Sequence, residues 1–92
     1  MEKLGIYAIY DKKAERYDTP YFAISDLFAK RRYALMADEP KSVLTKWKDD
    51  FQLMRLGTVS TITGEIDNVC CEIILEGREI VDTNQTTLNG GN

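Results

Sequence analysis

The sequence LGIYAIY at residues 4–10 predicts the strand around which the sheet is built. β-Branched and aromatic residues favour strands, and successive side chains of a strand point to opposite faces. Both faces of this segment are apolar, which is typical of a central strand. One face is expected to carry Ile6, Ala8 and Tyr10, and the other Tyr7 and Ile9.

A short return strand is expected at residues 16–18, after the polar connection that follows the first strand. Thr19-Pro20 then interrupts any ladder, because proline has no N–H and restrains the residue before it. Ser25 is a good helix N-cap, and Asp26 places an anion in the first turn, where the helix dipole favours it. We therefore expect the main helix over residues 26–38.

The spacing of apolar residues predicts which face of this helix is buried. That face carries Leu27, Phe28, Arg31, Ala34, Leu35 and Asp38. At about 100° per residue, Arg31 lies on or beside the core-facing side, while Arg32 points farther outward. Arg31→Ala is therefore expected to destabilise the fold, and Arg32→Ala to weaken nucleic-acid binding alone.

The second half of the chain predicts a short helix within residues 41–50 and then strands. A hairpin is expected over residues 51–67, with a strand at residues 69–75 and a further one at Ile80-Val81. The fold class is therefore α+β: an antiparallel sheet of about four or five strands with the 26–38 helix on one face. We expect one domain over residues 1–82 and a disordered tail over residues 83–92, whose composition is polar.

The composition argues against catalysis. The 92 residues include no histidine, which excludes Ser-His-Asp and Cys-His catalysis and histidine metal ligands. Cys70 and Cys71 are adjacent, so on a strand they would face opposite sides and would not share a metal ion. We expect no enzyme, no cofactor and no metal site. Without an apolar run long enough to span a membrane, we expect a cytoplasmic protein.

Charge is distributed unevenly along the chain. The net charge is −3 and the pI is about 4.9. Residues 1–56 hold 11 basic and 9 acidic side chains, whereas residues 57–92 hold 1 basic and 6 acidic ones, and every aromatic residue lies in the first 51 positions. An acidic pI argues against strong non-specific nucleic-acid binding by the whole chain, but a local basic patch remains possible.

Cations and aromatic residues alternate between residues 16 and 48. Single-stranded nucleic acid is bound by cations on phosphates and by aromatic rings on bases, without catalytic groups. The alternative is that Phe22, Phe28 and Trp47 belong to the core and that the helix cations only solvate the surface. The candidate nucleic-acid-binding residues are Arg16, Tyr17, Tyr21, Lys30, Arg32, Tyr33, Lys46 and Lys48.

The order of several motifs resembles the small nonstructural protein of gokushovirus-type microviruses. The similar segments are YAIYDKKA at residues 7–14, PYFA at residues 20–23, AKRRY at residues 29–33, and LMRLGT at residues 53–58 with TGEI at residues 63–66. The resemblance implies a non-enzymatic phage protein of viral single-stranded DNA synthesis, which acts at the switch from duplex replication to genome production and packaging. It also implies the bacterial host cytoplasm as the location. Residues 68–92 carry no part of the resemblance.

Two functions stay open at this point. One is an accessory protein that binds single-stranded DNA. The other is an interaction module that recruits or modulates phage or host replication proteins, which the acidic second half of the chain favours. A small sheet with a partly hydrophobic edge also suggests a homodimer.

Overall fold

The computed structural model describes residues 2–79, with the side chains of residues 69 and 70 left out. Within residues 2–79, five strands and two helices follow one another. They are β1 (Lys3–Asp11), β2 (Arg16–Tyr17), β3 (Tyr21–Ala23), α1 (Asp26–Ala37), α2 (Val43–Lys46), β4 (Phe51–Ser60) and β5 (Ile66–Glu76), with a 3-10 turn at Lys48–Asp50 before β4. The predicted α+β class, the main helix and the strand count are confirmed.

The strands form one antiparallel sheet in the order β2-β1-β4-β5, with β3 also paired to β1. β2 and β3 share one edge of β1, because β2 pairs with Tyr10 and Asp11 while β3 pairs with residues 5–7. β1 is therefore the central strand, as its two apolar faces predicted. The hairpin of β4 and β5 is confirmed and is longer than expected.

Both faces of the sheet bury side chains, and α1 packs against one of them. Tyr7, Ile9 and Leu53 are buried on the face that carries α1. The opposite face carries Ala8 and Met54, which are paired across β1 and β4 and are also buried. The alternation predicted for residues 6–10 is therefore confirmed.

The start of α1 is as predicted, but its buried face is not. The Ser25 hydroxyl accepts a hydrogen bond from the Phe28 N–H and caps the helix. The buried residues are Ala29, Tyr33 and Ala37, whose spacing of four places two methyl groups and one ring against the sheet. The expected face is wrong: its three large apolar residues, Leu27, Phe28 and Leu35, are exposed.

The prediction for Arg31 is wrong for the same reason. Arg31 is exposed on the outer side of α1, and its guanidinium lies over the Phe28 ring. No strand carbonyl or carboxylate holds it among the contacts of residues 2–79. The structural arginine of this fold is Arg55, which pairs with Asp26 and Glu72.

The segment after α1 is less helical than expected. Only Val43–Lys46 forms α2, and Lys48–Asp50 is a single 3-10 turn. The Thr45 hydroxyl donates a hydrogen bond to the Ala37 carbonyl and ties α2 to the end of α1. The strand expected at residues 69–75 is part of β5, and the one expected at Ile80-Val81 lies outside the described residues, as does the tail at 83–92.

None of the helices in residues 2–79 has the length and apolar character needed to span a membrane.

Candidate nucleic-acid interface

The outer face of α1 combines an exposed ring with exposed cations. Phe28 is 46% exposed, and the Arg31 guanidinium carbon lies 5.6 Å from the centre of its ring. The two residues are three apart on the helix, which makes their side chains neighbours. A guanidinium beside a ring offers one group to a phosphate and a flat apolar face to a base.

Arg32 contacts a ring that is already buried. Its guanidinium carbon lies 4.5 Å from the centre of the Tyr21 ring. Tyr21 is only 9% exposed, and its hydroxyl donates a hydrogen bond to the Ala29 carbonyl at 2.9 Å. This ring therefore positions Arg32 and packs α1 on the sheet, and the stacking role predicted for Tyr21 is wrong.

Tyr33 has no access to solvent at all. Its ring is part of the core, and its hydroxyl has no hydrogen-bond partner among the described residues. Burial raises the pKa of Tyr33 to about 12. The stacking role predicted for Tyr33 is therefore also wrong, although its neighbour Arg32 is exposed.

α2 carries a second pair of cation and ring. The Lys46 ammonium lies 5.4 Å from the centre of the Trp47 ring, and Trp47 is 54% exposed. The alternative that Phe28, Trp47 and Phe22 are core residues is wrong, since all three are about half exposed. At residues 28–31 and 46–47, the cations and aromatic residues that alternate in the sequence therefore lie together on the surface.

Lys48 lies apart from this pair. It lines an open polar pocket of about 310 Å³ with Lys12 and Arg78, in which Asp49 and Glu76 supply negative charge. The three cations and two carboxylates leave this pocket with one excess positive charge.

Arg16 and Tyr17 point to opposite sides of the sheet, because they are neighbours on β2. The Tyr17 ring packs on Tyr10 with 4.7 Å between ring centres, on the face away from α1. A hydrogen bond to the Cys71 thiol, together with slight burial, raises the pKa of Tyr17. The structure therefore does not bring Tyr17 together with the cations of α1, whereas Arg16 lies on the side of α1 and α2.

The strongest ionic contacts join elements of the fold and are not part of the cation–ring pairs on the surface. Arg55 on β4 donates two hydrogen bonds of 2.8 Å to the Asp26 carboxylate and one of 2.6 Å to Glu72. Tyr7 donates a further hydrogen bond of 2.6 Å to Asp26. This cluster joins the first turn of α1 to β1, β4 and β5.

The charges of this cluster shift one another's pKa values. Burial opposes ionisation of Asp26, but the hydrogen bonds from Tyr7 and Arg55 and the charge of Arg55 outweigh it, so the pKa of Asp26 is lowered. Burial and the hydrogen bond to Asp26 raise the pKa of Tyr7 to about 12. The hydrogen bonds to Glu72 and Asp26 raise the pKa of Arg55. All three groups are thus held in the form that maintains the cluster at neutral pH.

The cations of α1 differ from Arg55. The ion pairs found within residues 2–79 join Lys3 to Asp67 and Arg55 to Asp26 and Glu72. Arg31 and Arg32 contact rings instead, and Lys30 acts on Asp26 only through its charge. The candidate interface therefore comprises Lys30, Arg31 and Arg32 with Phe28 on α1, and Lys46 with Trp47 on α2.

Comparison with known proteins gives a family but no close relative. A family model described as "Phage ORF5 protein" matches residues 4–80, which is most of the chain. Neither the curated proteins nor the solved structures include a significant match.

Proposed function

We propose that this chain, which belongs to the phage ORF5 protein family, is a non-enzymatic phage protein that binds single-stranded DNA in the host cytoplasm. The candidate interface supplies the two kinds of group that such binding needs, cations for phosphates and rings for bases. The resemblance to the microvirus protein further supports a role in the switch to single-stranded genome synthesis.

One observation carries this proposal: two half-exposed rings, Phe28 and Trp47, each lie against a cation. A half-exposed ring has an apolar surface left for a base, and stacking contributes about 1–3 kcal/mol per base. The adjoining cation would meet the phosphate beside that base. Lys30 and Arg32 add charge on the same helix without a paired carboxylate in the ion pairs of residues 2–79.

The test is a titration of a fluorescently labelled single-stranded oligonucleotide, followed by anisotropy at two salt concentrations. We expect wild-type affinity to fall as salt rises, because each phosphate contact releases counterions. Phe28→Ala should weaken binding at both salt concentrations by roughly tenfold, whereas Arg31→Gln should also reduce the salt dependence. Ile62→Ala is the control, because Ile62 is also apolar and exposed but lies in the turn between β4 and β5.

A protein partner is the second candidate, and a separate observation favours it. Ile24, Leu27, Leu35 and Val43 are apolar residues that are exposed on the surface. Such a surface suits a phage or host replication protein better than DNA. A pull-down from host lysate after nuclease treatment separates the two functions, because associations that run through DNA are lost.

A homodimer is compatible with either function. β5 lies at the edge of the sheet over Ile66–Glu76, and Ile66 and Ile73 on it are exposed. We propose that this edge pairs with a second copy. Size-exclusion chromatography with light scattering at micromolar concentration tests it, and a monomer mass would contradict it.

A further inference from the structure

The face of the sheet that lies away from α1 is covered by no helix within residues 2–79. Both α1 and α2 pack on the other face, where Leu44 of α2 joins Tyr7 and Ile9 in the core. An antiparallel sheet with one face in water normally carries polar side chains on that face. Here the strands present apolar side chains instead, which is typical of an interaction surface. We call it the open face.

The register of the strands identifies the side chains of the open face. Phe22 pairs with Ile6, and it points away from α1 because its neighbour Tyr21 bonds to α1. Ile73 pairs with Met54, which lies on the open face. The large exposed side chains of this face are Tyr17 on β2, Phe22 on β3, and Ile66 and Ile73 on β5.

The exposed apolar area of the open face is large enough for a dimer. Tyr17 is 44% exposed, Phe22 56%, Ile66 68% and Ile73 53%. Half-exposed side chains of this size each leave on the order of 100 Å² in water, so with the partly exposed Ile6, Tyr10 and Val59 the face presents roughly 600 Å². Two copies would together bury about 1,200 Å² of mostly apolar surface, which reaches the range of specific protein–protein interfaces.

The charge of the open face favours a second copy over nucleic acid. Of the charged residues in the five described strands, Glu76 alone is in register with this face, and the Gln52 amide donates a hydrogen bond of 3.1 Å to its carboxylate. Nucleic acid would therefore meet no cation from these strands. In a two-fold dimer the same surface meets itself, so a nearly uncharged face avoids the repulsion between like charges that a charged face would cause.

We infer that the open face packs against the open face of a second copy. Two sheets that pack face to face interdigitate their side chains at a separation of about 10 Å. This contact differs from pairing along the edge of β5, because Phe22 lies on β3, on the opposite side of β1 from β4 and β5. It also lies on the other side of the sheet from the candidate interface on α1, so it does not depend on DNA binding.

The experiment is sedimentation equilibrium of the wild type and of three variants at micromolar concentration. Phe22→Glu should halve the mass of the assembly, because each copy would bury a carboxylate without a partner. Phe22→Ala adds no charge and should raise the dissociation constant by roughly tenfold or more. Leu35→Glu is the matched control: Leu35 is 71% exposed on α1, so the same kind of change on the other side of the molecule should leave the mass unchanged. Circular dichroism verifies that each variant is folded.

The outcomes separate this contact from the other proposals. A wild type that is monomeric throughout the concentration range overturns the inference and leaves the open face to a different protein. A dimer that survives both Phe22→Glu and Phe22→Ala overturns it in favour of another contact, such as the edge of β5. Dissociation by Leu35→Glu to the same extent as by Phe22→Glu also overturns it, because the effect would then not depend on the open face.

Discussion

At the scale of single residues, Arg55 contributes more to stability than the arginines of α1. Its guanidinium bridges Asp26 and Glu72, whereas the contact of Arg31 within residues 2–79 is with the half-exposed Phe28 ring. We expect Arg55→Ala to lower the free energy of unfolding by roughly 1–2 kcal/mol, a modest loss because both carboxylates are partly solvated. Arg31→Ala should change it by less than about 0.5 kcal/mol. Urea denaturation of both variants measures this, and a larger loss for Arg31→Ala would contradict it.

Removing the hydroxyl group should affect stability differently at two buried tyrosines. Tyr21 donates a hydrogen bond to the Ala29 carbonyl, whereas the Tyr33 hydroxyl is buried with no partner among the described residues. Removing a satisfied hydroxyl costs about 1 kcal/mol, and removing an unsatisfied one costs nothing or stabilises. We therefore expect Tyr21→Phe to lower the midpoint of thermal unfolding and Tyr33→Phe to preserve or raise it. A lower midpoint for Tyr33→Phe than for Tyr21→Phe would disprove this assignment.

At the scale of elements, Gly57 determines how closely β4 and β5 approach. A Cβ atom at this position would lie 2.2 Å from the Asp67 carbonyl oxygen, which belongs to the β5 backbone. That backbone cannot move aside without breaking the ladder, so Gly57→Ala should destabilise the protein by roughly 1–3 kcal/mol. Thr58→Ala, at the next position, is the control and should cost less. Differential scanning calorimetry of both variants tests the prediction, which fails if their midpoints coincide.

Local signals predicted where elements begin, but not which side of α1 is buried. Ser25 identifies the start of α1 because capping is a contact between near neighbours in sequence. α1 has two apolar faces, and the one with larger residues is exposed. The smaller face is buried because alanine at positions 29 and 37 allows close approach to the sheet around Tyr33. That choice depends on the shape of the sheet, which is not encoded within the helix.

The sequence predicted the cations of the candidate site better than its exposed rings. Lys30, Arg32 and Lys46 are on the surface of α1 and α2, as their charge implies. The sequence places Phe28 on the expected buried face of the helix and gives a core position for Trp47 as an alternative, because large aromatic residues are usually buried. The i, i+3 spacing of Phe28 and Arg31 and the adjacency of Lys46 and Trp47 were the available signals for a paired surface. Asp26 and Arg55 were not paired in advance, since 29 positions separate them.

At the scale of the whole molecule, the buried tyrosines should make stability fall at alkaline pH. Burial is the main cause that raises the pKa values of Tyr7, Tyr21 and Tyr33 from 10.0 to about 12. A folded pKa above the unfolded one means that the stabilisation is complete below about pH 10 and is lost as pH rises to about 12. In that range, each of these tyrosines lowers the free energy of unfolding by at most about 1.4 kcal/mol per pH unit.

We therefore expect the tyrosines to leave the urea midpoint unchanged up to about pH 10. Above that pH, the midpoint should fall steeply as the buried tyrosines ionise. The ultraviolet absorbance of phenolate, recorded on the folded protein, should show a group of tyrosines that ionise near pH 12. Wild-type protein in denaturing urea is the control, in which all five tyrosines should ionise near pH 10. Ionisation of every tyrosine near pH 10 in the folded protein would contradict the burial of these rings.

The central claim is that the half-exposed rings beside cations bind single-stranded DNA, and Trp47 tests it most directly. It is the single tryptophan of the chain, and it lies 54% exposed against Lys46. A base stacked on its ring would quench its fluorescence. We predict saturable quenching by an unlabelled single-stranded oligonucleotide at low salt that weakens as salt is added, with Ile62→Ala behaving as wild type. Trp47 fluorescence that stays unchanged through a full titration at low salt would contradict the claim.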